Sequence, residues 1–352
     1  MKCYSGYQYL QIDIANNFGL DKELFETRID WVNTHHKELE QLANQADNRP
    51  QYIKAVMALR RAEKGEAIGH IVFLDAICSG IQIMSAVTGC YEGANITGLV
   101  QPNVRSDAYT SITDKMNEIL HSEGVQVNVS RQDAKDAIMP RFYGSTDKPK
   151  EIFGEGVEHE AFLQACRACA PGADELLVDL LQSWRKGALK HSWRLPDGFQ
   201  VHCKVMESVK DRIEVDELGH STFTYQYLVN QGSDKGLSNA ANVVHSIDAY
   251  ILRTMLRRCN YDPMLVKHFH YRFTEELLAR ENGTSLGSYV DKNVSKYMDL
   301  YAQTNMVDTV ILTVLTDDTV HMLSTDHLRA LNRVLSTMLE HKPFELVTVH
   351  DA

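Results

Sequence analysis

The sequence predicts an α+β protein that is mostly helical. Apolar residues recur at the three-to-four-residue spacing of an amphipathic helix over most of the chain. The two-residue alternation of a half-buried strand is confined to a few short stretches. There is no internal repeat and no low-complexity tract, so neither a solenoid nor a linker-rich array is expected. The 352 residues are 44% hydrophobic and 24% charged, an ordinary globular balance on a chain long enough for a sizeable core and more than one lobe.

Residues 7–16 and 22–45 read as amphipathic helices. The pattern breaks at Asn48-Arg49-Pro50, and a further helix runs to about Lys64. His70-Ile71-Val72-Phe73-Leu74 is a short apolar run after Gly69 and reads as a buried strand ending at Asp75. Helices follow from Ser79 to about Val87 and over 107–122, with 125–129 looped or extended. Ser130, with Asp133 three residues on, resembles a capping box and opens a helix at Arg131. Residues 151 to about 190 are helical, broken at Pro171-Gly172. Alternation around Pro196-Asp197-Gly198, within 191–229, predicts a β-hairpin. A helix starts near Asn239 and passes Arg258, and two more cover about 263–281 and 285–303. Strands are expected at Val307–Leu315 and Thr319–Leu323, then a helix from Thr325 to about Glu340, then a last strand, Phe344–Val349, running into His350-Asp351-Ala352.

The first residues, Met1-Lys2-Cys3-Tyr4-Ser5-Gly6, contain no apolar core of a signal peptide, and no apolar run reaches transmembrane length. A cytosolic protein is therefore expected. Seven cysteines, scattered and odd in number, fit a reducing compartment. Cys166 and Cys169 have CxxC spacing but lie in a helical stretch without a second pair, and read as two ordinary thiols rather than a zinc site. The net charge of −11 argues by itself against nucleic-acid binding, because phosphate contacts need Lys and Arg. Net charge averages over the surface, however, and local clusters carry more weight. Trp184–Arg194 holds four cations, two Trp and no acid, a mixture suited to single-stranded nucleic acid or, equally, to a solvated helix end with Trp anchors.

Two expected strands end in carboxylates, Asp75 and Asp351. Side by side in one sheet they would give the paired acids of two-metal phosphoryl transfer, with ions ~3.5–4 Å apart. A lone Asp at a strand end is more often a turn or cap residue. From Arg131 the chain reads Arg131-Gln132-Asp133-Ala134-Lys135-Asp136-Ala137-Ile138-Met139-Pro140-Arg141-Phe142-Tyr143-Gly144. Arg131, Lys135, Met139 and Tyr143 recur every four residues and share a slowly drifting helix face. Two cations a turn apart suit a triphosphate, Arg as a planar fork and Lys as a mobile point charge. Asp133 and Asp136 among them equally suit a solvated face. Pro140 removes a helical hydrogen bond and should kink the helix.

Asp75-Ala76-Ile77-Cys78-Ser79-Gly80-Ile81-Gln82 resembles motif A of the single-subunit phage/mitochondrial-type DNA-dependent RNA polymerases. Arg131–Gly144 resembles their motif B, RxxxKxxxMxxxYG, and Val349-His350-Asp351-Ala352 the start of motif C. Asn242–Asp248 is similar to the HSxD helix, Trp193–Phe199 to the PDGF segment, and Ile14–Asn16 with Arg28–Val32 to the segments before motif A. The likeness runs in the expected order from about residue 7 onward, and the ordered set is far more specific than any one motif.

The resemblance implies a right-hand polymerase fold of palm and fingers, with the N-terminal domain and thumb largely absent from this chain. Residues 1–95 would be the first part of the palm, 96–240 the fingers, and 241–352 the rest of the palm with an insertion at about 260–340. It implies DNA-templated RNA synthesis with two magnesium ions on Asp75, Asp351 and the Ala76 carbonyl. Arg131 and Lys135 would hold the triphosphate, with Lys135 as proton donor to pyrophosphate. Tyr143 would cap the nucleotide, His245 would touch the nascent base pair, and Gly144 would let backbone approach the template. Related DNA polymerases carry a Glu where this chain has Gly80, so a ribose should fit.

Gln11 stands where relatives are expected to have a Lys near the triphosphate, which puts that contact in doubt. The short lead before Asp75 and the long stretch from His245 to Asp351 imply a split enzyme like the heterodimeric polymerases of some podophages. Its partners would be DNA template, nascent RNA, nucleoside triphosphates, a second subunit carrying the N-terminal domain and thumb, and a single-stranded-DNA-binding recruitment factor. No membrane is expected, and the location would be the cytoplasm of an infected bacterium, transcribing viral genes. The alternatives are a catalytically inactive scaffold with the polymerase fold, or a family A-like DNA polymerase or primase.

Overall fold

A computed structural model describes residues 4–73, 77–101, 104–234, 236, 238–285, 287 and 289–348. The chain forms two compact units, Met1–Asp179 and Leu180–Ala352.

The first unit is helical. Helix α1 (Gly6–Ala15) starts at a full capping box, Ser5 with Gln8. A π-helical turn, Asn16–Leu20, follows, and in it Gly19 takes φ +120° and lies so close to Asp47 that a Cβ would sit 2.5 Å from the carboxylate oxygen. Only glycine fits both conditions. The long helix expected over 22–45 is instead α2 (Phe25–Thr34), the short α3 (Leu39–Leu42) and a 3₁₀ turn, Ala43–Gln45. The break at His35 lets Leu39 and Ala43 turn back onto α4 (Arg49–Glu63), where Tyr52 donates its buried hydroxyl to the Leu39 carbonyl at 2.9 Å. Leu10, Ile14, Val32, Tyr52, Val56 and Leu59 form this core.

Next come α5 (Ser79–Thr88), α6 (Tyr91–Ile96), α7 (Ala108–Ser122), α8 (Arg131–Phe142), α9 (Asp147–Phe153), α10 (Val157–Cys169) and α11 (Pro171–Gln182). Helices α7 and α10 pack on each other through buried faces that include Ile112, Met116, Leu120, Phe162 and Ala165. α8 contacts both α7 and α5. The helical stretch expected to reach about 190 stops at Gln182, and Pro171 begins a helix rather than merely interrupting one, as its fixed φ allows.

The second unit holds two separate two-stranded antiparallel sheets. β1 (Lys190–Arg194) pairs with β2 (Gln200–Lys204) around the expected Pro196-Asp197-Gly198 turn. β3 (Met206–Val215) pairs with β4 (Ser221–Asn230), a second hairpin within the stretch for which one was expected. Helices α12 (Ser238–Cys259), α13 (Pro263–Glu281), α14 (Lys292–Thr304) and α15 (Thr325–Leu339) follow, with α14 starting later than its apolar pattern implied. Val266, Phe269, Phe273, Leu328, Leu331 and Leu335 lie in one core, so residues of the expected insertion pack on one another.

Four expected strands do not form as such among the described residues. Val307–Leu315 and Thr319–Leu323 contain the 3₁₀ turns Thr309–Thr313 and Val320–Met322. Their apolar runs reflect burial of Ile311, Leu312, Leu315, Val320 and Leu323 in a helical core, and a short buried run looks the same to periodicity in either setting. Residues 70–73 and 344–348 have no regular structure. Both are tethered from outside instead, His70 by Asp13 at 2.7 Å and the Phe344 N–H by the Cys259 carbonyl at 2.9 Å. Leu74-Asp75-Ala76 and Val349–Ala352 lie outside the described residues.

Candidate active site

The site is built where the start of α5 meets the two ends of α8. Cys78, in the left-handed region at φ 51°, precedes α5 and turns the chain so that Ser79 and Gly80 open the helix. α8 begins at Ser130, whose hydroxyl oxygen accepts the Asp133 N–H at 3.1 Å; the hydroxyl also donates to the Asp133 carboxylate at 2.7 Å, a variant of the expected box. Ala134, Ala137, Ile138 and Phe142 are buried, which turns the Arg131, Lys135 and Met139 face outward. The helix continues through Pro140 to Phe142. Gly144, at φ +94°, ends the turn, with its N–H donating to the Arg141 carbonyl at 2.8 Å.

Ser79 Oγ and the Tyr143 hydroxyl lie 2.7 Å apart, tying α5 to the end of α8. Beside them Gly80 is buried against Phe142, and a Cβ there would stand 3.4 Å from both the Phe142 Cβ and carbonyl oxygen. At the other end of α8, Arg131 donates from Nε and Nη2 to a single Asp107 oxygen, Oδ2, at 3.0 and 2.8 Å, and from Nε to Thr110 Oγ1 at 3.2 Å. The Tyr109 ring lies beneath both cations, 5.5 Å from the Arg131 guanidinium carbon and 5.8 Å from Lys135 Nζ. These distances are in the cation–π range.

Burial, with a hydrogen-bonded Cys78 thiol and nearby Tyr143, pushes the Tyr109 hydroxyl well above its usual range and keeps it protonated. Burial likewise raises the Cys78 thiol. At Asp107 burial opposes ionisation, but the Thr110 N–H and the Arg131 guanidinium outweigh it and hold the carboxyl below the ordinary range. The result is a surface with two cations on an aromatic floor, beside a paired hydroxyl and a buried glycine. It can bind an anion beside a hydroxylated ring.

Residues 3–151, which include this whole constellation, match the DNA-dependent RNA polymerase family. Over that stretch the chain is similar to the phage and mitochondrial members of the family. It is 28% identical over 324 residues to the DNA-directed RNA polymerase of Pseudomonas phage phiKMV, an alignment covering 75% of this chain and 40% of that protein. Similarity to the DNA-directed RNA polymerase of Enterobacteria phage K11 is 24% over 348 residues, with 72% and 38% covered. A probable DNA-directed RNA polymerase of Neurospora crassa is 29% identical over 161 residues, 41% of this chain and 18% of that one. The chain thus spans less than half the length of each of these relatives.

Of the residues that the polymerase motifs single out, Ser79, Gly80, Arg131, Lys135, Tyr143 and Gly144 come together in the first unit. The metal candidates Asp75, Ala76 and Asp351 lie outside the described residues. His245 is exposed on α12 in the second unit, beside Ser246, whose hydroxyl accepts the Trp193 indole N–H at 3.0 Å. Gln11 is buried and donates to the Asn33 side chain at 2.6 Å, so it braces α1 against α2. Trp184 donates to the Ser233 carbonyl at 3.0 Å and packs on His191. In the cluster at 184–194, both Trp are therefore anchors, while Arg185, Lys186, Lys190 and Arg194 are exposed.

Sequence reasoning missed Asp107, Tyr109 and Cys78. Asp107 could have been noticed as the helix cap it is, but nothing in linear spacing links it to Arg131, 24 residues on. Among the described residues one trio could converge on a cation, Glu214, Asp216 and His220 at the tip of the β3–β4 hairpin. All three are exposed, with His220 Nδ1 2.9 Å from Glu214 and 3.1 Å from Asp216, and they are remote in sequence from every polymerase motif.

Proposed function

We propose that this chain carries out DNA-templated RNA synthesis as the catalytic subunit of a phage RNA polymerase transcribing viral genes. The observation that carries the reading is the meeting of Gly80 with the Tyr143 end of α8, on the helix that also presents Arg131 and Lys135. Arg131 offers donors to a triphosphate, and Lys135, one turn on, supplies a second charge and a proton for the departing pyrophosphate. Tyr143, held by Ser79, stands where a nucleotide's sugar would meet α5. With glycine at 80 a 2′-hydroxyl would meet no side chain from that position, whereas a longer side chain there would first meet Phe142.

Asp75, Asp351 and the Ala76 carbonyl offer only hard oxygen donors, which fit magnesium by their chemistry. Two such ions would supply activation of a 3′-hydroxyl and neutralisation of the triphosphate. In this reading residues 1–95 and 241–352 belong to the palm and 96–240 to the fingers, with His245 at the nascent pair. DNA template, nascent RNA and a second subunit complete the assembly, recruited by a single-stranded-DNA-binding factor in the host cytoplasm. No described helix is long and apolar enough to cross a membrane.

The test is extension of an RNA primer on a DNA template with magnesium, alone and with any co-purifying polypeptide. Wild type should extend with ribonucleotides, Asp351→Ala should not, and Gly80→Glu should shift preference toward deoxynucleotides. Deoxynucleotide incorporation by wild type equal to or better than ribonucleotide incorporation would favour the DNA polymerase alternative. No extension under any condition would favour the inactive scaffold.

A further inference from the structure

We infer that Asp107 is a positioning residue for the triphosphate: it fixes the Arg131 guanidinium so that the fork's outer edge is left for phosphate. The inference rests on the polymerase reading above and adds to it a residue that touches neither substrate nor metal. Its basis is how the two carboxylate oxygens are divided. Oδ1 accepts the Tyr109 and Thr110 N–H groups at 3.1 and 3.2 Å and caps α7. Oδ2 takes only Arg131, from Nε and Nη2. The carboxylate is thus immobilised by a helix end before it holds the arginine.

Arg131 is restrained from three directions. Asp107 fixes its inner edge, Thr110 Oγ1 shares the Nε hydrogen, and the Tyr109 ring lies below the guanidinium carbon. Nη1 donates to no described residue, and the Arg131 side chain remains 43% exposed against 22% for Asp107. Donors on Nη1 and the second Nη2 hydrogen therefore face outward on the side where Lys135 also stands over Tyr109. An arginine on a free stem must lose rotamer freedom when it binds, whereas one already held does not. A fork so held can offer two parallel donors to phosphate oxygens.

The alternative role for Asp107 is a latch that competes with the triphosphate for Arg131. Geometry argues against it, because the outer donors are available without breaking the pair. The two roles predict opposite signs. If Asp107 positions, its loss weakens triphosphate binding; if it latches, its loss strengthens it.

The experiment uses the full chain, with any co-purifying subunit, and the variant Asp107→Asn. Asn caps a helix about as well as Asp, so α7 should survive while the charge that grips Arg131 is lost. Steady-state extension gives KM for each ribonucleoside triphosphate, and inorganic tripolyphosphate is titrated as a competitor. Calorimetry of tripolyphosphate binding is run on the same samples. Positioning predicts KM and the tripolyphosphate constant rising together by about three- to tenfold, alike for all four bases, with kcat changed by less than about twofold and an unchanged melting temperature. Thr110→Val should reproduce a smaller rise of the same kind.

Unchanged KM and tripolyphosphate binding with an intact fold would overturn the inference, as would tighter binding. So would a loss confined to kcat. If wild type fails to extend any primer, the polymerase reading fails, yet calorimetry still shows whether Asp107 governs triphosphate binding at Arg131.

Discussion

Gly80→Ala tests the packing on which ribose access depends. Gly80 has ordinary helical backbone in the first turn of α5, so alanine meets no conformational obstacle. The new methyl would lie 3.4 Å from the Phe142 Cβ and carbonyl oxygen and 3.7 Å from its carbonyl carbon. These are contacts at the tight edge of the ordinary range. Replacing glycine by alanine in a helix favours folding by up to about 1 kcal/mol, and burying a methyl adds about 0.8 kcal/mol. Slight compression against the fully buried Phe142 takes part of that back.

The net expectation for Gly80→Ala is between neutral and about 1 kcal/mol of stabilisation, or a rise of about 0–4 °C in the melting temperature of a unit this size. Calorimetric melting measures it directly, and primer extension on the same preparation reads function. Ribonucleotide use should persist, because the atoms nearest to the methyl all belong to Phe142. A fall in melting temperature of more than about 4 °C would refute the reasoning, since it would place α5 and α8 closer than the distances above allow.

Asp174, 2% exposed, pairs with both Arg141 and Arg167 inside the first unit. Asp174→Ala leaves Arg141 without its partner and should cost about 3–5 kcal/mol in urea unfolding, whereas Arg167→Ala, on the exposed side, should cost under about 1 kcal/mol. In the second unit Asp308 receives Arg257 and Thr254, while Asp197 of the hairpin turn receives Arg253 and Arg257. Asp308→Ala should therefore destabilise that unit by about 3 kcal/mol, and Asp308→Asn by less. His327 is buried and stacked on Tyr301, and burial lowers its pKa from 6.5 to about 4. The unfolded chain takes up the proton first as pH falls, so this contribution to stability is complete above 6.5 and is lost progressively between 6.5 and about 4. His327→Leu should flatten that slope in denaturant titrations across the window.

The polymerase motifs were legible in sequence because each is local. Arg131, Lys135 and Tyr143 announce a helix face by their spacing, and Ser130 announces where the helix begins. The helices around them were equally legible, since amphipathic periodicity survives whatever partner the apolar face meets. Strands were not. Val307–Leu315 and Thr319–Leu323 are apolar because they are buried, and burial is common to a sheet interior and a helical core. Gln11, too, stands where relatives are expected to have a Lys near the triphosphate, and nothing in the sequence announces that it is buried and donates to Asn33.

By itself the sequence determined the polymerase-like motifs, the mostly helical class and the residues on the exposed face of α8, all consequences of short-range order along the chain. Only the tertiary structure decided what those residues touch. Asp107 and Tyr109 reach Arg131 because α7 and α8 pack side by side, and Ser79 reaches Tyr143 across 64 positions because Gly80 lets α5 lie against Phe142. Packing is a many-body condition on shapes and charges distant in sequence, and no linear spacing encodes it.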